Sequence, residues 1–344
     1  MRTGAGPGVT IPAARPLPER GPVDAAGFAE ILTTDRPVVL RGQVAHWPAV
    51  TAARDGSAAA ARYFAGFDRG RPVHVMVGPA EIRGRFFYRD DWAGFNYRTE
   101  EVPVRALLGE LLRLADDPAA PSIYAGSAPA DDHLPGWRGA NPLDLDLPGA
   151  QPRVWIGNAT RVSTHYDGSA NLACVVAGQR RFLLFPPEQL ANLYVGPLDR
   201  TMAGQASSMV DPDAPDLARH PRFAAAMDHA LVAELEPGDA IFMPALWWHN
   251  VRADGPLNIL VNYWAERDDA QSPFLAMVHA MMAVRDLPVR ERAAWRDWFD
   301  YYVFEGEGRE AAHLPEAARG VLGPASTERS ARIHDYLVRA LTRR

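Results

Sequence analysis

The middle of the chain is written in short apolar runs, each closed by a turn residue, and this pattern restricts the fold more than any other feature. Val154–Gly157, Leu172–Ala177, Arg181–Phe185, Ala240–Pro244 and Leu257–Tyr263 are all bounded by Gly, Pro or Asp. Runs this short are strands, because an amphipathic helix needs about ten or more residues to bury one face. Gly178-Gln179, between two of the runs, predicts a tight hairpin turn, and Pro237-Gly238-Asp239 introduces a further strand. Strands with such punctuation pack as an antiparallel sandwich or barrel. Upstream, Arg36-Pro-Val-Val-Leu-Arg-Gly predicts a short buried strand, residues 51–65 an alanine-rich helix, Val73–Val77 and Arg85–Tyr88 two more strands, and Val102–Leu114 a helix. Residues 126–150, rich in Pro, Gly and Asp, predict loop, and residues 1–22 a loose arm.

After residue 265 the period changes. Phe274, Met277, Val278, Met281 and Met282 fall at helical spacing, as do Trp295, Trp298, Phe299 and Tyr302, and then Ile333, Tyr336, Leu337 and Leu341. The expected organisation is a β domain over residues 23–265 with flanking helices, then a helical region over 266–344. The wide apolar stripes of that region have two readings, packing against the β domain or self-association as a homodimer.

Composition removes whole classes of chemistry. The 344 residues contain no lysine, so all 36 cationic side chains are arginine. Schiff-base catalysis, a phosphate-loop lysine and a lysine general base are therefore excluded. A net charge of −6 leaves no basic excess for bulk nucleic-acid binding. The single cysteine, Cys174, excludes an intrachain disulfide and a cysteine-cluster metal site. With no secretory pattern at the start and no apolar run near the ~18 residues of a membrane helix, the expectation is a soluble, cytoplasmic protein without membrane contact.

His165-Tyr166-Asp167 places an imidazole and a carboxylate two residues apart, where a strand sends both from one face. Trp247-Trp248-His249 delivers a second histidine from a Trp-lined corner. Taken alone, His249 is equally a packed core residue. Taken together, His165, Asp167 and His249 are two imidazoles and one carboxylate, a set that caps one face of an octahedral ion and leaves three positions open, as in non-haem Fe(II) oxygenases.

The stretch from His165 through Asn171, Gly178 and Arg180 to Phe185-Pro186-Pro187 resembles the central motif of cupin-like, JmjC-type 2-oxoglutarate oxygenases, in particular their asparaginyl hydroxylase group. Pro237-Gly238-Asp239 through His249, then Val261-Asn262-Tyr263-Trp264, are similar to the same family in order and spacing. The resemblance spans roughly residues 30–265. It implies a double-stranded β-helix, Fe(II) held by His165, Asp167 and His249, and 2-oxoglutarate and O₂ as cosubstrates. It implies Asn171 and Asn262 near the metal-bound end of 2-oxoglutarate, and Tyr124 with Arg180 at its far carboxylate. Arginine suits that role chemically, since a guanidinium grips a carboxylate in two-pronged fashion; the plainer reading is a surface arginine beside Arg181.

Two departures stand out. Where many members carry a threonine, this chain has Val162, so that either Ser163 or Thr164 takes over its hydroxyl after a one-residue deletion or Arg180 manages with Tyr124; Ala173 stands where an aromatic is usual, with Trp155 as a candidate to fill part of the space. Tyr88, Asp90, Asp91 and Trp92 read either as a rim of the entrance or as an ordinary turn. The implied substrate is a peptide or protein side chain, or an amino-acid-like small molecule. N-demethylation by the same oxidant, a Zn or Mn cupin isomerase or hydrolase, and a non-catalytic binding module are the alternatives.

Overall fold

The computed structural model describes residues 12–147, 149–202, 204–265, 272–305 and 309–342. Twelve strands are formed: β1 (Arg15–Pro16), β2 (Glu19–Arg20), β3 (Val38–Leu40), β4 (Pro72–Gly78), β5 (Arg98–Pro103), β6 (Ser122–Pro129), β7 (Pro152–Gly157), β8 (Thr160–Tyr166), β9 (Asn171–Phe185), β10 (Leu231–Leu235), β11 (Ala240–Met243) and β12 (Trp248–Trp264). The long strands β9 and β12 run antiparallel to each other and build two layers. Their outer halves, Asn171–Ala177 and Ile259–Trp264, sit in the order β2-β3-β11-β9-β12-β7-β6-β4-β5. Their other halves, Arg180–Phe185 and Trp248–Ala253, are flanked by β10 and β8. Two facing layers joined through shared strands form a double-stranded β-helix.

Alternation assigns the faces. Ala173 and Val175 on β9 and Leu260 on β12 point between the layers and meet Phe182, Leu184 and Val251 from the other layer. Their neighbours Leu172, Cys174 and Val176 point outward, under helices Ala25–Leu32, Pro48–Arg54, Ser57–Phe67 and Val104–Arg113. Leu183 and Phe185 close a third cluster with Phe223 and Trp248. A strand buried on both faces reads as a nearly continuous apolar run, which is what residues 172–177 are.

Several expectations need correction. Gly178-Gln179 is not a hairpin: β9 continues in the same direction, and Gln179 pairs with Asp254 while Ala177 pairs with Ile259. The extra residues of β12 between those pairs let both strands bend together and pass from one layer to the other. Gly178 takes φ +77° at the bend, and a Cβ there would overlap the side-chain oxygen of Asn258. Gly178→Ala is therefore expected to destabilise the fold by about 2 kcal/mol or more, read as a lower denaturation midpoint with unchanged slope. Residues 85–88 form no strand; Arg85 and Tyr88 make only isolated bridges to Arg161 and Phe95. The arm is partly anchored, because β1 pairs with β10 and β2 with β3. Residues 126–150 begin with the end of β6 and include two short helices, Ala130–His133 and Trp137–Ala140.

The chain divides into compact units at residues 1–266 and 267–344. The second holds helices Pro273–Val284, Val289–Phe299 and Thr327–Thr342, with a π-helical turn at Asp300–Phe304. Among its described residues only Ala311 is buried, while Met282, Trp298 and Phe304 are 71%, 58% and 73% exposed. No helix among the described residues is long and apolar enough to cross a membrane.

Candidate metal centre

β8 and the start of β12 lie side by side with His165 directly opposite His249, their ring centroids 4.3 Å apart. Asp167 follows just beyond the end of β8. Its Oδ2 is 3.7 Å from His249 Nε2, and one ligand atom from each of the three residues falls within 4.8 Å of the others. Both histidines are held by their backbones. His165 Nδ1 is 2.8 Å from the Ser163 carbonyl oxygen, and His249 Nδ1 is 3.1 Å from that of Trp247. Donation from Nδ1 to a carbonyl leaves the Nε2 lone pair for a metal. The carboxylate is oriented too: Asp167 Oδ2 accepts hydrogen bonds from Asn171 Nδ2 at 2.8 Å and Trp264 Nε1 at 3.0 Å. Behind it, Asn262 Nδ2 donates to Asn171 Oδ1, and Trp155 Nε1 donates to Asn262 Oδ1 at 2.6 Å.

Electrostatics favour the ligating protonation states. Burial, and then the neighbouring His249, push His165 well below the ordinary imidazole range, so it is neutral. Burial raises the Asp167 carboxyl, but His249, His165 and the hydrogen bonds from Trp264 and Asn171 outweigh it, so it stays ionised. A neutral His165 imidazole and an ionised Asp167 carboxylate, with His249 on the same flank, suit a divalent cation with open positions.

Those positions face a cavity of about 440 Å³, mouth included, lined by Tyr124, Trp155, Val162, Arg180, Phe182 and Leu260 among others. Arg180 is 3% exposed, and its Nε and Nη2 have no hydrogen-bond partner. Burial lowers its pKa and raises that of Tyr124 to about 12, each offset in part by their mutual contact. A buried guanidinium with two free donors is a site prepared for an anion.

A family model described as a cupin-like domain matches residues 24–271. The chain belongs to this family. Among curated relatives, the cupin-like chain is 38% identical over 113 residues to "Lysine-specific demethylase JMJ31" of Arabidopsis thaliana, covering 32% of this chain and 20% of that one. It is 36% identical over 110 residues to "tRNA wybutosine-synthesizing protein 5" of Danio rerio, covering 30% of this chain and 31% of the other. The match to "Bifunctional peptidase and (3S)-lysyl hydroxylase JMJD7" of Homo sapiens is 26% identical over 287 residues and covers 75% of this chain and 86% of that one. Apart from that last match, the chain spans less than a third of the length of these relatives.

In this cupin-like domain Asn171, Asn262, Tyr124, Trp155 and Arg180 all line the cavity beside the three candidate metal ligands. Ser163 and Thr164 do not. β8 carries a bulge here, since Val162 pairs with Val251 and His165 with His249, so two residues oppose Asn250 alone. The bulge turns both Val162 and His165 inward and leaves the hydroxyls of Ser163 and Thr164 buried without a partner, off the cavity wall. Tyr88, Asp90, Asp91 and Trp92 are likewise not on the cavity wall. Tyr88 is buried with its hydroxyl donating to the Arg200 carbonyl, and Asp91 accepts the Ala93 amide within a turn. The hydrogen bond of Trp264 to Asp167 has no signal in the spacing, because the residue stands outside the candidate ligand pattern.

Proposed function

We propose that the chain is an Fe(II)- and 2-oxoglutarate-dependent oxygenase that hydroxylates an unactivated C–H of a peptide or protein side chain or of an amino-acid-like small molecule. The observation that carries this reading is the presence, in one cavity, of a one-sided His-Asp-His ligand set and a buried arginine with unmet donors. His165, Asp167 and His249 would hold the metal, and Arg180 with Tyr124 would take the far carboxylate of 2-oxoglutarate. Iron with 2-oxoglutarate and O₂ supplies oxidation of a C–H bond with release of succinate and CO₂. The chain supplies geometry. The backbone carbonyls of Ser163 and Trp247 fix the two rings. Asn171 and Trp264 fix the carboxylate, and Val162, Phe182 and Leu260 keep the interior apolar.

The test is succinate formation by the full-length protein, loaded anaerobically with Fe(II) and then given 2-oxoglutarate and air. Absence of succinate with a panel of peptides and amino acids overturns the reading. The relatives named as a hydroxylase and a demethylase share this scaffold, so formaldehyde release is measured alongside; its appearance assigns N-demethylation instead. Metal-dependent turnover without O₂ would assign the Zn or Mn alternative.

The helical region is proposed to pair two copies of the chain. Its described residues bury only one small side chain among themselves, while Met282, Trp298 and Phe304 face outward, and a second copy offers a matching apolar face. Light scattering of the full chain is expected to give twice 37.7 kDa, and Trp298→Glu to halve it. A monomeric wild type removes the proposal.

A further inference from the structure

Four arginines stand on β7, β8 and β9, and they divide by partner. Arg161 lies within ion-pair distance of Asp211 and Asp213, and Arg181 of Asp213 and Glu234. Arg153 and Arg180 have no carboxylate within 4.0 Å among the described residues. Arg180 is deep in the cavity. Arg153 is not on the cavity wall but stands beside residues that are: it is the second residue of β7, two before the cavity-lining Trp155, so both leave the same face of the strand. Its cross-strand partner is Asn262, which also lines the cavity.

Arg153 is held in place without being neutralised. Its Cζ lies 5.4 Å from the centre of the Trp264 ring, and that indole donates to the metal ligand Asp167. Nη1 is 3.2 Å from the Ser127 carbonyl oxygen and 3.3 Å from its hydroxyl. Ser127 reaches it from an irregularity in β6, where pairing with β7 jumps from Ala125 to Ala128 and Ser127 takes φ +56°. A non-glycine residue in that region costs free energy, and strain of this kind gathers at ligand-binding positions. The Nε and Nη2 edge takes no hydrogen bond among the described residues, and neither atom is shut away from solvent. Two parallel donors on one edge of a fixed guanidinium match the two oxygens of a carboxylate, and one positive charge matches one carboxylate better than a doubly charged phosphate.

We infer that Arg153 determines specificity by binding a carboxylate of the molecule that is oxidised, so that the substrate is an acidic side chain in a peptide or a free or chain-terminal amino acid. The inference rests on the oxygenase reading for the word substrate, but not for the binding site itself. The probes are capped Gly-X-Gly peptides with X as Asp, Asn, Glu or Gln, and the free amino acids with their α-amides. Two readouts are taken on the full-length protein: succinate formed above the background without probe, and probe binding to the metal-free protein by saturation-transfer NMR.

Acids are expected to exceed their amides by about tenfold or more, with the ratio falling to about one in Arg153→Gln and partly kept in Arg153→Lys. Success with capped peptides assigns a side-chain carboxylate; success only with free amino acids assigns the α-carboxylate. No preference for acids by either readout at millimolar concentration overturns the inference. So does an unchanged ratio in Arg153→Gln, or a variant that shifts only the half-saturation by 2-oxoglutarate. Acid-selective binding that needs Arg153, with no succinate from any probe, would keep this inference and sink the oxygenase reading.

Discussion

His165→Ala is expected to lose bound Fe(II) after anaerobic loading and to lower succinate formation by about a thousandfold or more, to the background of free iron. Deleting this imidazole leaves Asp167 and His249 on one edge of the ion, and two donors do not define the open face that a chelating cosubstrate needs. Asp167→Asn separates charge from shape. The amide keeps the size of the side chain but removes the anion: its oxygen still accepts from Asn171 and Trp264 at the Oδ2 position, which leaves an NH₂ group where the second carboxylate oxygen stood. Metal content by mass spectrometry and circular dichroism are read in parallel. A His165→Ala variant that keeps stoichiometric iron and wild-type turnover would remove the assignment of the ligand set.

The pairing of His165 with Asp167 is readable from spacing because the alternation of β8 carries on one residue past its end: extended residues 165 and 167 leave the same face wherever the strand lies. The meeting of His249 with them is not. It depends on the antiparallel register of β12 against β8, set by side chains along both strands. The strands themselves are legible as apolar runs closed by Gly, Pro and Asp, and the interior position of Ala173, Val175, Phe182 and Leu184 follows from alternation. What pattern reasoning misses is where alternation breaks. At Gly178 a glycine signals a turn in general, but whether the chain reverses or bends depends on residues 255–258 of the partner strand. At Ser163 and Thr164 a bulge shifts the hydroxyls off the cavity wall, and neither residue differs from those of a regular strand. Trp155 reads from sequence as a filler of space and Trp264 only as the end of a motif, yet their indole N–H groups hold Asn262 and Asp167, a contact that only three dimensions display.

Arg180→Met is expected to have opposite effects on the empty and the loaded protein. Without ligand, Arg180 is a nearly fully buried cation whose Nε and Nη2 meet no acceptor, and its contact with the Tyr124 hydroxyl brings it no countercharge. Replacing a buried charge of this kind by an apolar side chain of similar length removes a desolvation cost while Phe182 and Leu260 supply contacts, so the metal-free variant should be more stable by about 1–4 kcal/mol. Adding 2-oxoglutarate with a redox-inert divalent metal reverses the order. At about 1,000 times its dissociation constant the ligand adds ~4.1 kcal/mol to the wild type and nothing to a variant that cannot hold its far carboxylate. Thermal melts of both proteins, with and without ligand, give the four values needed. A variant already less stable when empty would mean that Arg180 is bound within the fold itself, and equal stabilisation of both proteins would place the far carboxylate elsewhere. The crossing of the two melting orders is the signature of a charge kept unpaired for a partner that arrives from solution.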